Sequence, residues 1–203
     1  MKQNTIKTKQ KGFTVIELLV VFLIMIALAG SGLIAWNSQR PGRNLVLAQN
    51  ETVTNIRKVQ SYAVSSRQTS DGSNAKFYLA RFEVDQNSYS VHAIKSDGTY
   101  TTEETVNLPS NVTISSINAF ATDGGASGGK INCAFVLYSV PFGKVYFSTS
   151  DPCDSGVTNL TANLPELATS TNQVLILTLQ YTGAALSEDI SIYGLTGKVE
   201  SSS

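Results

Sequence analysis

The chain has 203 residues and a mass of 21.7 kDa, with 15 Lys and Arg against 15 Asp and Glu, two Cys and one His. That length suits one domain with an appendage, and the even charge argues against a strongly basic nucleic-acid binder. Two Cys and a single His exclude a disulfide-dense scaffold, a four-Cys zinc site and HExxH chemistry.

Lys2, Lys7, Lys9 and Lys11 fall in the first 12 positions without an acid, so the remainder carries 11 basic and 15 acidic residues, a net of −4. Residues 13–36, FTVIELLVVFLIMIALAGSGLIAW, contain Glu17 as their only strongly polar side chain. A helix of about 20 apolar residues spans the hydrocarbon core of a bilayer. The four lysines before it, against Arg40 and Arg43 after it, predict the N-terminus inside and residues 37–203 outside. Three readings fit this segment. It is a plain membrane anchor, or a secretory signal with an apolar stretch at 18–26 and an A-x-A site at Ala27-Leu28-Ala29, cut before Gly30. The third reading starts from Glu17: a carboxylate inside a bilayer segment is costly, so it marks a site with a partner. No basic residue lies within one turn of it along the sequence. A cut between Gly12 and Phe13 would create a positive α-amino group with Glu17 as the fifth residue. A neighbouring helix, shifted along the axis, could then set its amine against this Glu.

The string Lys11-Gly12-Phe13-Thr14-Val15-Ile16-Glu17-Leu18-Leu19-Val20-Val21 resembles the class III signal of type IV pilins and type II secretion pseudopilins. The resemblance implies a prepilin peptidase that cuts after Gly12 and N-methylates Phe13, with Glu17 as the assembly carboxylate. It implies a basic leader at 1–12, a transmembrane and assembly helix at 13–36, and an extracytoplasmic head at 37–203. The precursor would cross the cytoplasmic membrane once and then enter a periplasmic or extracellular helical filament. The partners implied are the peptidase, other pilin or pseudopilin subunits, an inner-membrane assembly platform and, before assembly, membrane lipid.

Beyond the apolar run, Arg40-Pro41-Gly42-Arg43 predicts a kink or short break. From 44 to 67 the pattern is amphipathic, with Leu45, Ala48, Thr52, Ile56, Val59 and Ala63 at three- and four-residue steps, which predicts the outer half of a long helix with one face on a sheet. Residues 68–74 read as a loop. Strands are predicted at 76–84 and 88–95, flanking an Asp85-Gln86-Asn87 hairpin, and at 112–117, 131–138, 144–148, 174–181, 190–193 and 198–200. Loops rich in Gly, Ser and Asn fill 122–130 and 151–163. The fold expected is a single α+β head, an N-terminal helix packed on an antiparallel β-sheet, with or without a second small sheet. Several fragments in this part are similar to the H-type minor pseudopilins and related minor pilins: SYAVSSR at 61–67, YSV at 89–91, LP at 108–109 before VTI at 112–114, PFG at 141–143 after FVLY at 135–138, and IYGLTGKV at 192–199.

Cys133 and Cys153, an even pair placed outside the membrane, predict a disulfide closing a loop over 144–147, worth about 3 kcal/mol; two separate buried thiols are the alternative. The stretch from Gly124 to Lys130 looks like a phosphate loop, but Ile131 stands where the motif needs Ser or Thr for magnesium, so a surface loop is expected. His92 is expected on the polar face of its strand, solvated, and no G-x-S-x-G nucleophile accompanies it. Asp123, Asp151 and Asp154 lie in loops of the kind that bind calcium in some pseudopilins, without an EF-hand spacing; no metal or cofactor is expected. Asn50, Asn111 and Asn159 open N-x-T triplets, read as chance matches beside a bacterial export signal.

The function expected is structural, not enzymatic: a subunit of a type IV pilus or a type II secretion pseudopilus. The alternative is a minor pilin whose head is a DNA-uptake or adhesion module, against which the net of −4 and the scattered basic residues argue for nucleic acid. A third reading, a hydrolase released by cutting at Ala29, has no recognisable active site behind it.

Overall fold

The computed structural model describes residues 14–38, 40–121, 131–149, 173–194 and 196–202. The chain divides into two compact units, Met1–Arg40 and Pro41–Ser203.

In the first unit, Val15–Ser38 forms helix α1. Leu, Met and Ala favour the helix and no Pro interrupts it. Its apolar side chains are exposed on every side, from Val15 at 81% to Leu23 at 71% and Leu28 at 66%. A helix that is apolar all round has no polar face to turn to water. Among the described residues no helix is long and apolar enough to cross a membrane; the side chains of α1 are described as far as Gly30, short of the ~20 residues a span needs.

Helix α2 spans Arg40–Val64, with Arg40, Pro41, Gly42 and Arg43 as its first turn; residue 39, between the two helices where a kink or short break would fall, lies outside the described residues. Pro suits the start of a helix because its φ is already helical and its missing N–H would have no acceptor there. The stripe Leu45, Ala48, Gln49, Thr52, Val53, Ile56, Val59 and Ala63 is buried, as the three- and four-residue spacing requires. The helix ends without a Gly. Ser66 takes the left-handed conformation (φ 51°), Arg67 N–H donates to Tyr62 O and Ser66 N–H to Ala63 O, the two bonds of a Schellman cap.

Nine strands follow among the described residues: β1 (Ala75–Glu83), β2 (Ser88–Lys95), β3 (Tyr100–Asn107), β4 (Val112–Ala121), β5 (Cys133–Ser139), β6 (Val145–Thr149), β7 (Gln173–Tyr181), β8 (Ser187–Tyr193) and β9 (Val199–Ser202). They form two antiparallel sheets, ordered β3-β2-β1-β5-β6 and β4-β7-β8-β9. The α+β architecture expected is present, with the second sheet as large as four strands. Backbone bonds tie the sheets together: Asp85 N–H donates to Ile114 O, Ile114 N–H to Gln86 O, and Ile131 N–H to Ile117 O. Strand β3 was not predicted. Its sequence, YTTEETVN, lacks the apolar alternation of a half-buried strand, because it lies at a sheet edge with only Val106 buried.

One core joins α2 to both sheets. Tyr78, Ala80 and Phe82 of β1, Tyr89, Val91 and Ala93 of β2, and Ala134, Val136 and Tyr138 of β5 alternate into it, with Ile114, Ile117, Leu175, Leu177, Leu179, Ile190 and Ile192 from the second sheet. The other face of the first sheet is also buried, in a separate cluster of Phe77, Leu79, Ile94, Cys133, Phe135 and Leu137. Burial on both faces explains why β5 reads as the continuous apolar run CAFVLY rather than as an alternation. Polar ties flank the helix on both sides. Gln49 Nε2 donates to Asp189 O at 2.9 Å and Arg57 Nη2 to Val199 O at 2.8 Å on one side; on the other, Asn55 Nδ2 donates to Tyr89 Oη at 3.0 Å and Lys58 Nζ meets Glu104 at 2.6 Å.

Candidate functional site

The sequence places the decisive chemistry at the start of α1. Gly12 and Phe13 lie outside the described residues. Thr14 is the first residue described, and it caps the helix: its Oγ1 accepts from Glu17 N–H at 3.2 Å, and its carbonyl accepts from Leu18 N–H at 3.2 Å. A hydroxyl on the third helical N–H satisfies a donor that has no partner within the helix. Thr14 and Glu17 also have the S/T-x-x-E spacing of a capping box, a signal present in the sequence that the motif's reading as a processing signal passed over.

Glu17 stands in the first turn of α1, where the helix dipole favours a negative charge. Its neighbours along the chain are Val15, Ile16, Leu18, Leu19, Val20 and Val21, all exposed apolar side chains. Ion pairs among the described residues include Lys58–Glu104, Arg81–Glu83, Lys95–Asp71 and Lys198–Glu200, all far along the chain from Glu17. Water can solvate the Glu17 carboxylate on an isolated helix. Once the surrounding apolar surface is covered, the charge needs a cation: at about 4 Å and an effective dielectric constant of ~20, such a pair attracts by about 4 kcal/mol.

Residues 7–33 match the family model of the prokaryotic N-terminal methylation motif. The match supports a type IV pilin-like protein. It contains Gly12, Phe13, the Thr14 cap and Glu17, and it implies processing by a prepilin peptidase and assembly with other pilin subunits. No curated protein and no solved structure matches the chain.

Among the described residues, the others singled out in the sequence do not gather into one site. Cys133 is a free thiol, fully buried among Phe77, Leu79, Phe135 and Leu137. Cys153, the partner expected for it, lies outside the described residues, and the expected bridge is not seen. The glycine-rich stretch from Gly124 to Lys130 and Asp123, Asp151, Asp154 and Asn159 also lie outside them. Asn50 is exposed on α2 and Asn111 is exposed in a turn at φ 69°. Among the described residues, no group of three or more His, Cys, Asp or Glu could hold a metal ion.

His92 corrects the expectation of a solvated side chain, for it is only 6% exposed. Its face of the sheet is the covered outer one, a circumstance that strand alternation cannot reveal. Nε2 lies 2.8 Å from Ser90 Oγ and Nδ1 3.1 Å from Thr102 Oγ1. The ring stands edge-on to Tyr100 at 5.7 Å. Burial, with the Arg81 guanidinium nearby, lowers its pKa to about 4, so the imidazole is neutral at pH 7 and both nitrogens are matched by hydroxyls that can donate or accept. This is how a polar side chain is accommodated in a covered sheet; with both ring nitrogens held by hydroxyls, neither is bonded to the carboxylate that orients the imidazole in a nucleophilic triad.

Proposed function

We propose that the chain is the precursor of a structural subunit of a type IV pilus or a type II secretion pseudopilus. A prepilin peptidase removes residues 1–12 and methylates the Phe13 amine. The apolar helix holds the precursor in the cytoplasmic membrane as a single pass, head outside. An inner-membrane platform then transfers it into a helical filament. The short fragments at 61–67, 89–91, 108–114, 135–143 and 192–199 favour a minor subunit akin to the H-type pseudopilins within that class.

The observation that carries this reading is α1 itself. It is apolar on all sides, capped at Thr14, and bears one carboxylate in its first turn, inside the methylation motif. Each large apolar side chain moved from water into lipid or a helical bundle contributes roughly 1.5–3 kcal/mol, so the same surface serves both the membrane-held and the assembled state. In the bundle Glu17 meets the N-methyl-Phe13 amine of a neighbouring subunit, which neutralises both charges and fixes the axial register. The DNA-binding alternative is not favoured: Lys58, Arg81, Lys95 and Lys198 are each paired with an acid, and the chain beyond residue 12 is net negative.

Mass spectrometry of the protein from its native membrane tests this reading. A mature chain beginning with N-methyl-Phe13 is expected. A start at Gly30, or an intact leader in the presence of an active peptidase, would refute it. Glu17→Ala should stop or misregister assembly while leaving the head folded; normal filaments from that variant would remove Glu17 from its role.

A further inference from the structure

We propose that Phe142 is a knob by which one copy of this chain docks on the next, in a groove on the exposed side of α2. The proposal rests on the filament-subunit reading above and gives it a contact in the head. Phe142 is 79% exposed, whereas Phe77, Phe82, Phe135 and Phe147 are buried. It stands on a turn that hydrogen bonds hold in place. Gly143 N–H donates to Ser139 O at 2.7 Å, Ser139 N–H to Lys144 O at 2.9 Å, Lys144 N–H to Ser139 Oγ at 3.1 Å and Val140 N–H to Lys76 O at 3.0 Å. Gly143 is buried, and its Cα faces Val64 and Gln60 of α2 so closely that a Cβ would not fit. The turn is thus fixed to the first sheet and to the helix, with Pro141 and Phe142 left exposed at its tip. A side chain presented on so constrained a backbone loses little freedom on docking, and large apolar side chains seated in pockets carry most of the energy of an interface.

The receiving surface lies on the same helix. Gly42, Arg43, Val46, Leu47 and Asn50 line an open groove of about 390 Å³. Benzene fits a cavity of about 150 Å³, so a phenylalanine ring has room there. Val46 and Leu47 are exposed apolar side chains. Gly42 weakens the helix, and a Cβ there would meet nothing within 4 Å; an incoming ring gives the missing side chain a use. Arg43 at the rim offers a guanidinium to the negative face of that ring. Val46 and Val64 are 18 residues apart, about five helical turns, so the groove and the Gly143 contact lie on one side of α2, about 27 Å from each other along its axis. The knob therefore cannot fill the groove of its own chain. A second copy can, set parallel and displaced by about that distance. Parallel setting follows from the reading above, in which every α1 enters one filament in the same sense. A knob and a groove on different patches make a heterologous contact, which repeats from copy to copy without closing.

The test uses the full-length chain assembled in its own host. Phe142→p-benzoylphenylalanine keeps an aromatic side chain and links it to its neighbour on illumination. Sheared filaments of that variant should yield covalent products of two, three and more copies, with the link mapped by mass spectrometry to residues 42–50. Phe142→Ser and Leu47→Asp should each lower the filament sheared from cells, relative to the membrane pool, by about tenfold or more, the loss expected when one buried Phe side chain no longer contributes to association. Phe142→Tyr, which keeps the ring, should assemble as wild type does. All three should leave the amount of processed chain in the membrane unchanged, which separates a lost contact from a lost fold. Undiminished filaments from Phe142→Ser, a link to residues outside 42–50, to another protein or to lipid, or products that stop at two copies would overturn the contact. A wild-type chain that keeps its leader and forms no filament would instead overturn the filament-subunit reading, and the contact with it.

Discussion

Two glycines press against the same stretch of α2, and they allow steric strain to be separated from backbone strain. Gly143, in the β5–β6 turn, and Gly197, in the β8–β9 turn, both have φ of +65°, a conformation that costs an L-residue about 1–2 kcal/mol. A Cβ at Gly143 would come 2.7 Å from Val64 Cγ2. Val64 is 56% exposed, so its side chain can turn away into solvent. A Cβ at Gly197 would come 2.7 Å from Gln60 Nε2 and 2.9 Å from Val145 Cγ2. Val145 is buried and β-branched, with little rotamer freedom. Overpacking at such a site costs about 1–3 kcal/mol. Gly143→Ala is therefore expected to lose about 1–2 kcal/mol, the backbone cost alone, and Gly197→Ala about 2–5 kcal/mol, the sum of both effects. Urea denaturation of residues 41–203 at pH 7 would measure the two, with m-values unchanged. Equal losses, or a larger loss at Gly143, would refute the claim that the buried flank at Val145 decides the difference.

Other expectations follow from the same structure. Ile56 is fully buried where α2 meets the core, so Ile56→Ala should cost about 2–5 kcal/mol, whereas Leu47→Ala, on the exposed side, should change head stability by less than about 0.5 kcal/mol; both are read from the same denaturation curves. Because the folded-state pKa of His92 is lowered to about 4 from about 6.5 when unfolded, its contribution is complete above pH ~6.5 and is lost as the pH falls towards 4. The loss is on the order of 2–4 kcal/mol, and His92→Gln should flatten that part of a stability–pH profile; a slope identical to wild type would argue against it. The buried Cys133 thiol should resist alkylation in the native protein and react after unfolding without reductant, as read by peptide mapping. A mass shift found only after reduction would establish the bridge to Cys153 instead.

The helices and most strands were legible because their signals are local. The α2 stripe from Leu45 to Ala63 and the alternation of Tyr89, Val91 and Ala93 each follow from one element burying one face. What escaped depended on neighbours. Strand β3 is held as an edge by β2 and by polar ties such as Ser70 N–H to Glu103 and Lys58 to Glu104, none of which leaves an apolar period. His92 reads as solvated until its whole sheet face is seen to be covered. The turn at Ser66 lacks the glycine that marks most helix ends. At the candidate site, the spacing of Gly12, Phe13 and Glu17 was plain in the sequence, but the capping bond of Thr14 is a matter of three-dimensional geometry.

The four polar ties along α2 also bear on mechanics. Gln49 and Arg57 grip backbone carbonyls of the second sheet, and Asn55 and Lys58 grip the first, all within about three turns of one helix. A pull along the helix axis would load these contacts together, in shear, along with the buried stripe beneath them, rather than peeling them one after another. Neither sheet could yield first without the helix sliding past both. A head bound in this way would resist tension along α2 as a single element.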